Sequence, residues 1–337
     1  MSTTVGPLLS IADVSIAFGN EHEPLCAVRS VSLEVEAGEV VGLVGESGSG
    51  KSLTCRSVMR LVAQPGRVSN GSIQFDGRDV LAMSPAELRA FRAGDVGMIY
   101  QDPFSSLNPV YRIGDQLVET LRANRGLRKA EARSEAAMLL ERVGIPDPQR
   151  RLLSYPHELS GGMRQRVMIA LATASRPRLL IADEPTTALD VTTQAQILEL
   201  LLEMREQLGM AILLVSHDFG VIAQVCDRVA VMYGGHIVET GAVGAIYDNP
   251  QHPYTRALLE SVPELEAAGR DRSEQPRPGI PGRPPELGEE LPGCVFAPRC
   301  GYARPTCREV PMTLVPVGPA QASACPVQPF RQQEARA

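Results

Sequence analysis

The sequence predicts an α/β fold built on a parallel sheet, and three observations carry that prediction. Short runs rich in Val, Ile and Leu alternate with stretches of helical spacing as far as residue 250, the pattern of strands joined by crossover helices. One such run feeds a glycine-rich loop that opens a helix. Hydrophobic residues make up 44% and charged residues 21% of the chain, a globular balance that excludes a disordered or fibrous protein. At 337 residues the chain exceeds one ordinary domain, so at least two structural units are expected. Thirty-three Lys and Arg against 39 Asp and Glu give a net charge of −6, which argues against a strongly basic nucleic-acid binder and leaves a local basic patch open. The longest apolar runs, VVGLV at 40–44 and AILLV at 211–215, are far too short to cross a bilayer, so any membrane role is peripheral. MSTTVGPLLS lacks the basic start and apolar run of a secretory signal. The expected compartment is the cytosol, with the seven cysteines as reduced thiols or metal ligands.

In chain order, VVGLVG (40–45), VGMIYQ (96–101), LLIADE (179–184), AILLVS (211–216) and RVAVMYGG (228–235) read as strands. Between the second and third, IGDQLVETLRANRG and KAEARSEAAMLLERVG carry helical spacing with no strand pattern, so a helical insertion is expected in the sheet domain. Sixteen of the 27 prolines lie from Pro250 onward, where they interrupt long helices and central strands. Cys294, Cys300, Cys307 and Cys325 lie in the same tail. A small loop-rich unit held by something other than a large apolar core follows from that composition. PRPGIPGRPPELGEELPG at 276–293 reads as a linker before it.

GESGSGKS at 45–52 has the G-x-x-x-x-G-K-[ST] spacing, directly after the strand VVGLV and before the helical run LTCRSVMRL. Its glycines let the backbone wrap an anion with N–H groups inward, and the helix presents its positive end. The expected nucleotide-binding set is Gly45, Glu46, Ser47, Gly48, Ser49, Gly50, Lys51, Ser52 and Leu53, with Lys51 reaching the β- and γ-phosphates and Ser52 ligating Mg²⁺. LLIADE ends a buried strand in two acids. Asp183 there can hold Mg²⁺ through a coordinated water while Glu184 acts as general base. Standing alone, such a pair is a solvated edge or a helix cap; the phosphate loop gives it the other meaning. His217 follows AILLVS, at a strand's C-terminal end where α/β sheets bind ligands, and can hydrogen-bond a γ-phosphate or serve structurally. LSGGMRQR at 159–166 offers a second helix N-terminus suited to an anion, capped by Ser160 and entered through Gly161 and Gly162. An ordinary capped helix is the alternative.

On these ordered motifs the chain resembles the ATP-binding subunits of ABC transporters over residues 8 to about 330. GESGSGKS is similar to Walker A, Gln101 to the Q-loop glutamine, LSGGM to the signature, LLIADE to Walker B with Glu184 as catalytic base, ALD at 188–190 to the D-loop, and His217 to the switch histidine. The resemblance implies a P-loop NTPase core of RecA type with an antiparallel β region and a helical subdomain at about 102–178, together forming a nucleotide-binding domain over 1–250. It also implies an ATP hydrolase whose Mg²⁺ is held by Ser52, Gln101 and Asp183. Two such domains meet head to tail in this family, so Ser160, Gly161, Gly162, Met163 and Asp190 are expected to face the partner's ATP. Phe18 is the only aromatic among the first 74 residues. It is the candidate to stack on adenine, and core packing explains it equally well.

QDPFSSLNP (101–109), IYDNPQHPYTRALLESVP (246–263) and the cysteine-bearing tail resemble the dipeptide and oligopeptide importer subgroup, whose relatives include nickel importers. Membership implies a peripheral ATPase on the cytoplasmic face of the inner membrane and a second ATPase subunit, a paralogue, as dimer partner. Two membrane permease subunits and, indirectly, a solute-binding protein complete the assembly, with no nucleic acid involved. A permease-free ABC clamp is the rival, and it lacks the long coiled-coil insertion or second nucleotide domain that such proteins carry. Residues 251–337 would form the peptide-importer extension. Similar tails hold a 4Fe-4S cluster, which assigns Cys294, Cys300, Cys307 and Cys325 as its ligands; zinc or bare thiols remain open. Cys26, Cys55 and Cys226 sit in strand or helix contexts and read as packing residues.

Overall fold

The computed structural model describes residues 6–19, 24–102, 106–187, 189–261, 279–289 and 291–330. From the N-terminus, β1 (Leu9–Phe18), β2 (Leu25–Val35) and β3 (Val40–Val44) precede α1 (Lys51–Val58), β4 (Arg67–Phe75) and β5 (Arg78–Asp79). Next come α2 (Pro85–Gly94) and β6 (Val96–Ile99), then the run α3 (Ile113–Arg125), α4 (Lys129–Arg142), α5 (Pro148–Arg151) and α6 (Gly161–Thr173). β7 (Leu179–Asp183), α7 (Val191–Leu208), β8 (Ala211–Ser216), α8 (Phe219–Val225), β9 (Arg228–Tyr233) and β10 (His236–Ala242) follow. The last elements are α9 (Val243–Asp248), α10 (Pro253–Glu260), β11 (Val315–Gly318) and β12 (Gln321–Ser323). No helix among the described residues is long and apolar enough to cross a membrane.

The chain divides into two compact units. The first takes Met1–Val35, Val40–Leu81 and Val215–Ala337, as far as these are described. In it, β2, β1, β4 and β5 form an antiparallel sheet in that order. Beside it in sequence, β3 pairs in parallel with β9, β9 antiparallel with β10, β10 with β12, and β12 with β11. Every residue of β3 is buried, as expected for a strand covered on both faces. The Asp227 carboxylate accepts from the Val40 amide at 2.8 Å, which fixes the start of β3 against the strand entering at Arg228.

The second unit takes Glu36–Glu39 and Ala82–Leu214. β8, β7 and β6 lie side by side in that order, with β6 and β7 parallel and both wholly buried. Ser84 and Glu87 close a capping box at α2, and Gly126 ends α3 in the left-handed conformation, the ordinary start and stop of helices. No strand interrupts the described residues between 111 and 175, so the expected helical insertion is present.

All five strands read from the sequence are found, several ending early. β9 stops at Tyr233 because Gly234 and Gly235 turn the chain with φ of 53° and 85°. β7 stops at Asp183 because Glu184 takes a φ of 49°. β6 ends at Ile99, two residues before Gln101.

Candidate functional site

In the first unit β3 delivers the chain into the loop 45–52, and α1 carries it away. A Cβ on Gly45 would stand 2.0 Å from the Met232 carbonyl oxygen, so the loop runs against β9 at a distance open only to glycine. Gly50, with φ 101°, caps α1 without a side chain to answer the first helical amides, which leaves that turn suited to an external anion. Lys51 is 5% exposed and donates from Nζ to the carbonyls of Gly45 at 2.8 Å and Glu46 at 2.9 Å. Its ammonium therefore sits inside the loop. The Ser49 hydroxyl in the same turn is buried without a hydrogen-bond partner. A buried cation, a glycine-lined turn and an orphaned hydroxyl fit a polyphosphate. His217 follows β8 and is exposed, on a turn where the Asp218 amide donates to Ser216 Oγ. Phe18 ends β1 half-buried, with its ring 2.6 Å from where a Gly66 Cβ would lie.

In the second unit Asp183 ends β7 fully buried. Glu184 follows with positive φ, a conformation that costs a non-glycine residue about 1–3 kcal/mol and gathers at functional sites. Glu184 Oε2 accepts from Gln101 Nε2 at 3.0 Å and from Thr187 Oγ1 at 2.9 Å. The two residues singled out 83 positions apart thus share one carboxylate; Thr187 carried no sequence signal. Ser160 caps α6, its hydroxyl accepting from the Met163 amide at 3.3 Å. Ser160 and Gly161 are exposed and Gly162 and Met163 half-buried, so this helix N-terminus opens to the surface. Asp190 caps α7 by accepting from Thr193 N and Oγ1, and these bonds hold its carboxyl below the usual range. Ala188 of the ALD triplet and residues 103–105 of QDPFSSLNP lie outside the described residues.

Cys294, Cys300, Cys307 and Cys325 line one small chamber, together with His252 and Phe296. Burial pushes the Cys294 thiol up to about 11 and raises Cys300 and Cys325, which favours the protonated thiol at each. The Tyr302 amide donates to Cys300 Sγ and the Arg304 amide to Cys307 Sγ, each at 3.4 Å. Four thiols on one chamber, two already accepting backbone N–H bonds, are a donor set that fits a thiophilic metal group. Among the described residues no three His, Cys, Asp or Glu side chains converge as ligands of a single ion.

The chamber is also tied to the phosphate loop. Arg299, immediately before Cys300 and 5% exposed, donates from Nη1 and Nη2 to the two Glu46 carboxylate oxygens at 2.7 and 3.1 Å. It donates further to Tyr233 Oη, Ile280 O and Pro281 O. Burial alone would lower the guanidinium pKa; Glu46 and Tyr233 more than offset it and raise it. The Glu46 amide donates to Tyr254 Oη at 2.8 Å. Behind Tyr254, the buried Glu239 carboxylate accepts from the amides of Gln251 and His252 and from Gln321 Nε2. Burial raises the Glu239 pKa despite these bonds. None of this network was visible in sequence spacing, because its partners lie up to 253 residues apart.

A buried strand, a glycine turn closed around a lysine and a helix springing from it define a P-loop nucleotide-binding protein. Residues 28–187 match the ABC transporter family, and residues 238–307 match the oligopeptide/dipeptide transporter C-terminal region. The chain is 48% identical to the dipeptide transport ATP-binding protein DppD of Haemophilus influenzae, over 92% of this chain and 93% of that one. It is 47% identical to DppD of Escherichia coli, over 94% and 96%. Among solved structures, the dimeric ATP-binding cassette MJ0796 in a post-hydrolysis state bound to ADP and Pi aligns with a TM-score of 0.62 at 27% identity, covering 70% of this chain and 98% of that one. CbiO1 of Clostridium perfringens, part of the ABC transporter complex cbiONQ, aligns with a TM-score of 0.62 at 27% identity over 72% and 91%. This chain belongs to the ABC transporter ATPases.

Proposed function

We propose that the chain is the ATP-hydrolysing subunit of a peptide importer, bound at the cytoplasmic face of the inner membrane. Residues 1–250 form the motor domain and 251–337 the importer-specific extension. The observation that carries this reading is a phosphate loop closed around Lys51 in the same compact unit as a stretch matching the oligopeptide/dipeptide transporter C-terminal region. Lys51 and the loop amides grip the triphosphate, Ser52 and Asp183 hold Mg²⁺ with Gln101 nearby, and Phe18 stacks on adenine. Glu184, oriented by Gln101 and Thr187, takes a proton from the attacking water while His217 steadies the γ-phosphate. The exposed N-terminus of α6, with Asp190, closes over the ATP of a second, paralogous ATPase chain. ATP gripped from both sides favours the closed dimer and hydrolysis releases it, moving two permease subunits that receive peptide from a solute-binding protein. The helical insertion, with Gln101, Asp102 and residues 106–109 at its entrance, forms the permease-facing surface.

The chamber cysteines hold a 4Fe-4S cluster in this reading; the group stores an electron, and the four thiolates bind and bury it. Iron and acid-labile sulfide are expected after anaerobic purification and lost in Cys300→Ser; stoichiometric zinc instead contradicts the cluster. The transport reading is tested by gentle solubilisation and affinity capture through this chain. Two membrane subunits and peptide-dependent ATP turnover are expected, and repeated recovery with ribosomes or DNA, never with membrane subunits, overturns it.

A further inference from the structure

We propose that His252 donates a hydrogen bond from Nε2 to a sulfur of the iron–sulfur group in the four-cysteine chamber, an inference that rests on the cluster reading above. His252 is 1% exposed and lines the chamber beside all four cysteines. Its Nδ1 accepts from the Tyr254 amide at 3.1 Å, so in the neutral ring the proton resides on Nε2. That Nε2 is buried with no hydrogen-bond partner, a condition native interiors avoid unless a ligand or ion answers it.

The ring has little freedom to turn away. The His252 amide donates to Glu239 Oε2 at 2.9 Å, the neighbouring Gln251 amide to Oε1 at 2.7 Å, and the Phe296 ring packs with its centroid 6.0 Å from the imidazole. Three constraints thus fix the backbone, the tautomer and the ring face, and the one uncommitted group is an N–H at a sulfur-lined chamber. Because Nε2 carries its proton it is a donor and not a fifth ligand. An N–H bond to a cluster sulfur withdraws charge from it and favours the reduced state. His252 is thereby a positioning and tuning residue for the cluster, unconnected to the chemistry of ATP.

The test uses the full chain purified anaerobically, as wild type and as His252→Asn. Asn keeps an oxygen to cap the Tyr254 amide and sets its NH₂ where the ring Cδ2 stood, short of the Nε2 position. Iron and sulfide are quantified, and the midpoint potential is measured by EPR-monitored redox titration. Both proteins are expected to carry iron and sulfide. The variant should be about tenfold harder to reduce, about 59 mV more negative for a one-electron couple. ENDOR of the reduced wild type should also show an exchangeable proton coupled to the cluster that the variant lacks. Equal potentials at equal iron content overturn the hydrogen bond and leave the cluster standing. A wild type without iron and sulfide overturns the cluster reading and the hydrogen bond with it. Should the variant fail to retain iron, wild type labelled with ¹⁵N-histidine decides, and absence of a histidine nitrogen coupling overturns the proposal.

Discussion

Arg299→Ala removes one partner of an ion pair that is almost buried on the arginine side and 24% exposed on the Glu46 side. Breaking a fully buried pair costs about 3–5 kcal/mol because a charge is left uncompensated. Partial hydration of Glu46 reduces that to about 2–3 kcal/mol, with the lost bonds to Ile280 and Pro281 included. Glu46→Gln leaves Arg299 its tyrosine and carbonyl acceptors, so its cost is about 1–2 kcal/mol. Since both changes break one interaction, the double variant should be more stable than the sum of the singles predicts by at least about 1 kcal/mol. The carboxylate that Arg299 neutralises belongs to the phosphate loop, so Arg299→Ala should also weaken ATP binding about tenfold, or about 1.4 kcal/mol, and the double variant should recover part of it. Urea unfolding and titration with a fluorescent ATP analogue give the two readouts. Additivity within about 0.5 kcal/mol together with unchanged nucleotide affinity refutes the link between tail and loop.

Glu184→Gln should lower ATP turnover by at least about 100-fold, the span of a general base, while retaining ATP and accumulating the closed dimer by size-exclusion chromatography; wild-type turnover would remove Glu184 as base. Gly45→Ala drives a methyl into the Met232 carbonyl and should abolish detectable ATP binding by calorimetry while far-UV dichroism is retained. His236, at the start of β10, is held down to about 4 by burial, with Arg29 adding to the shift. Its unfolded value is about 6.5, so the unfolded chain binds more protons between those values. Its contribution, about 3 kcal/mol at most, is full above pH 6.5 and is lost as pH falls toward 4. The urea midpoint of His236→Gln should therefore fall less than wild type between pH 7 and 5, and parallel losses would contradict this.

The buried strands β3, β6, β7, β8 and β9 were legible because continuous apolar runs bounded by glycine or acids have few other meanings. The phosphate loop, Gln101, Glu184 and the cap at Ser160 were legible because their chemistry depends on local spacing. The antiparallel sheet was expected from the family resemblance alone; its strands left no pattern of their own, since Asp13 and Ser30 adopt positive φ and the β1–β2 register shifts beside them, which breaks the alternation that marks a half-buried strand. β11 and β12 escaped notice for another reason. Pro316 interrupts one, and the other is three residues held by Gln321 on the distant Glu239. Thr187, Tyr254 and Arg299 act through partners that only folding brings near.

Tyr254 and Arg299 both come from beyond residue 250, yet both stand directly behind Glu46. The rear wall of the motor is thus furnished by its appendage. A shortened chain ending after β10, the natural choice for a minimal cassette, should lose its grip on triphosphate although every residue of the nucleotide motifs remains. The accessory segment and the engine are then expected to behave as one unit rather than as exchangeable modules, because both of these contacts cross the join.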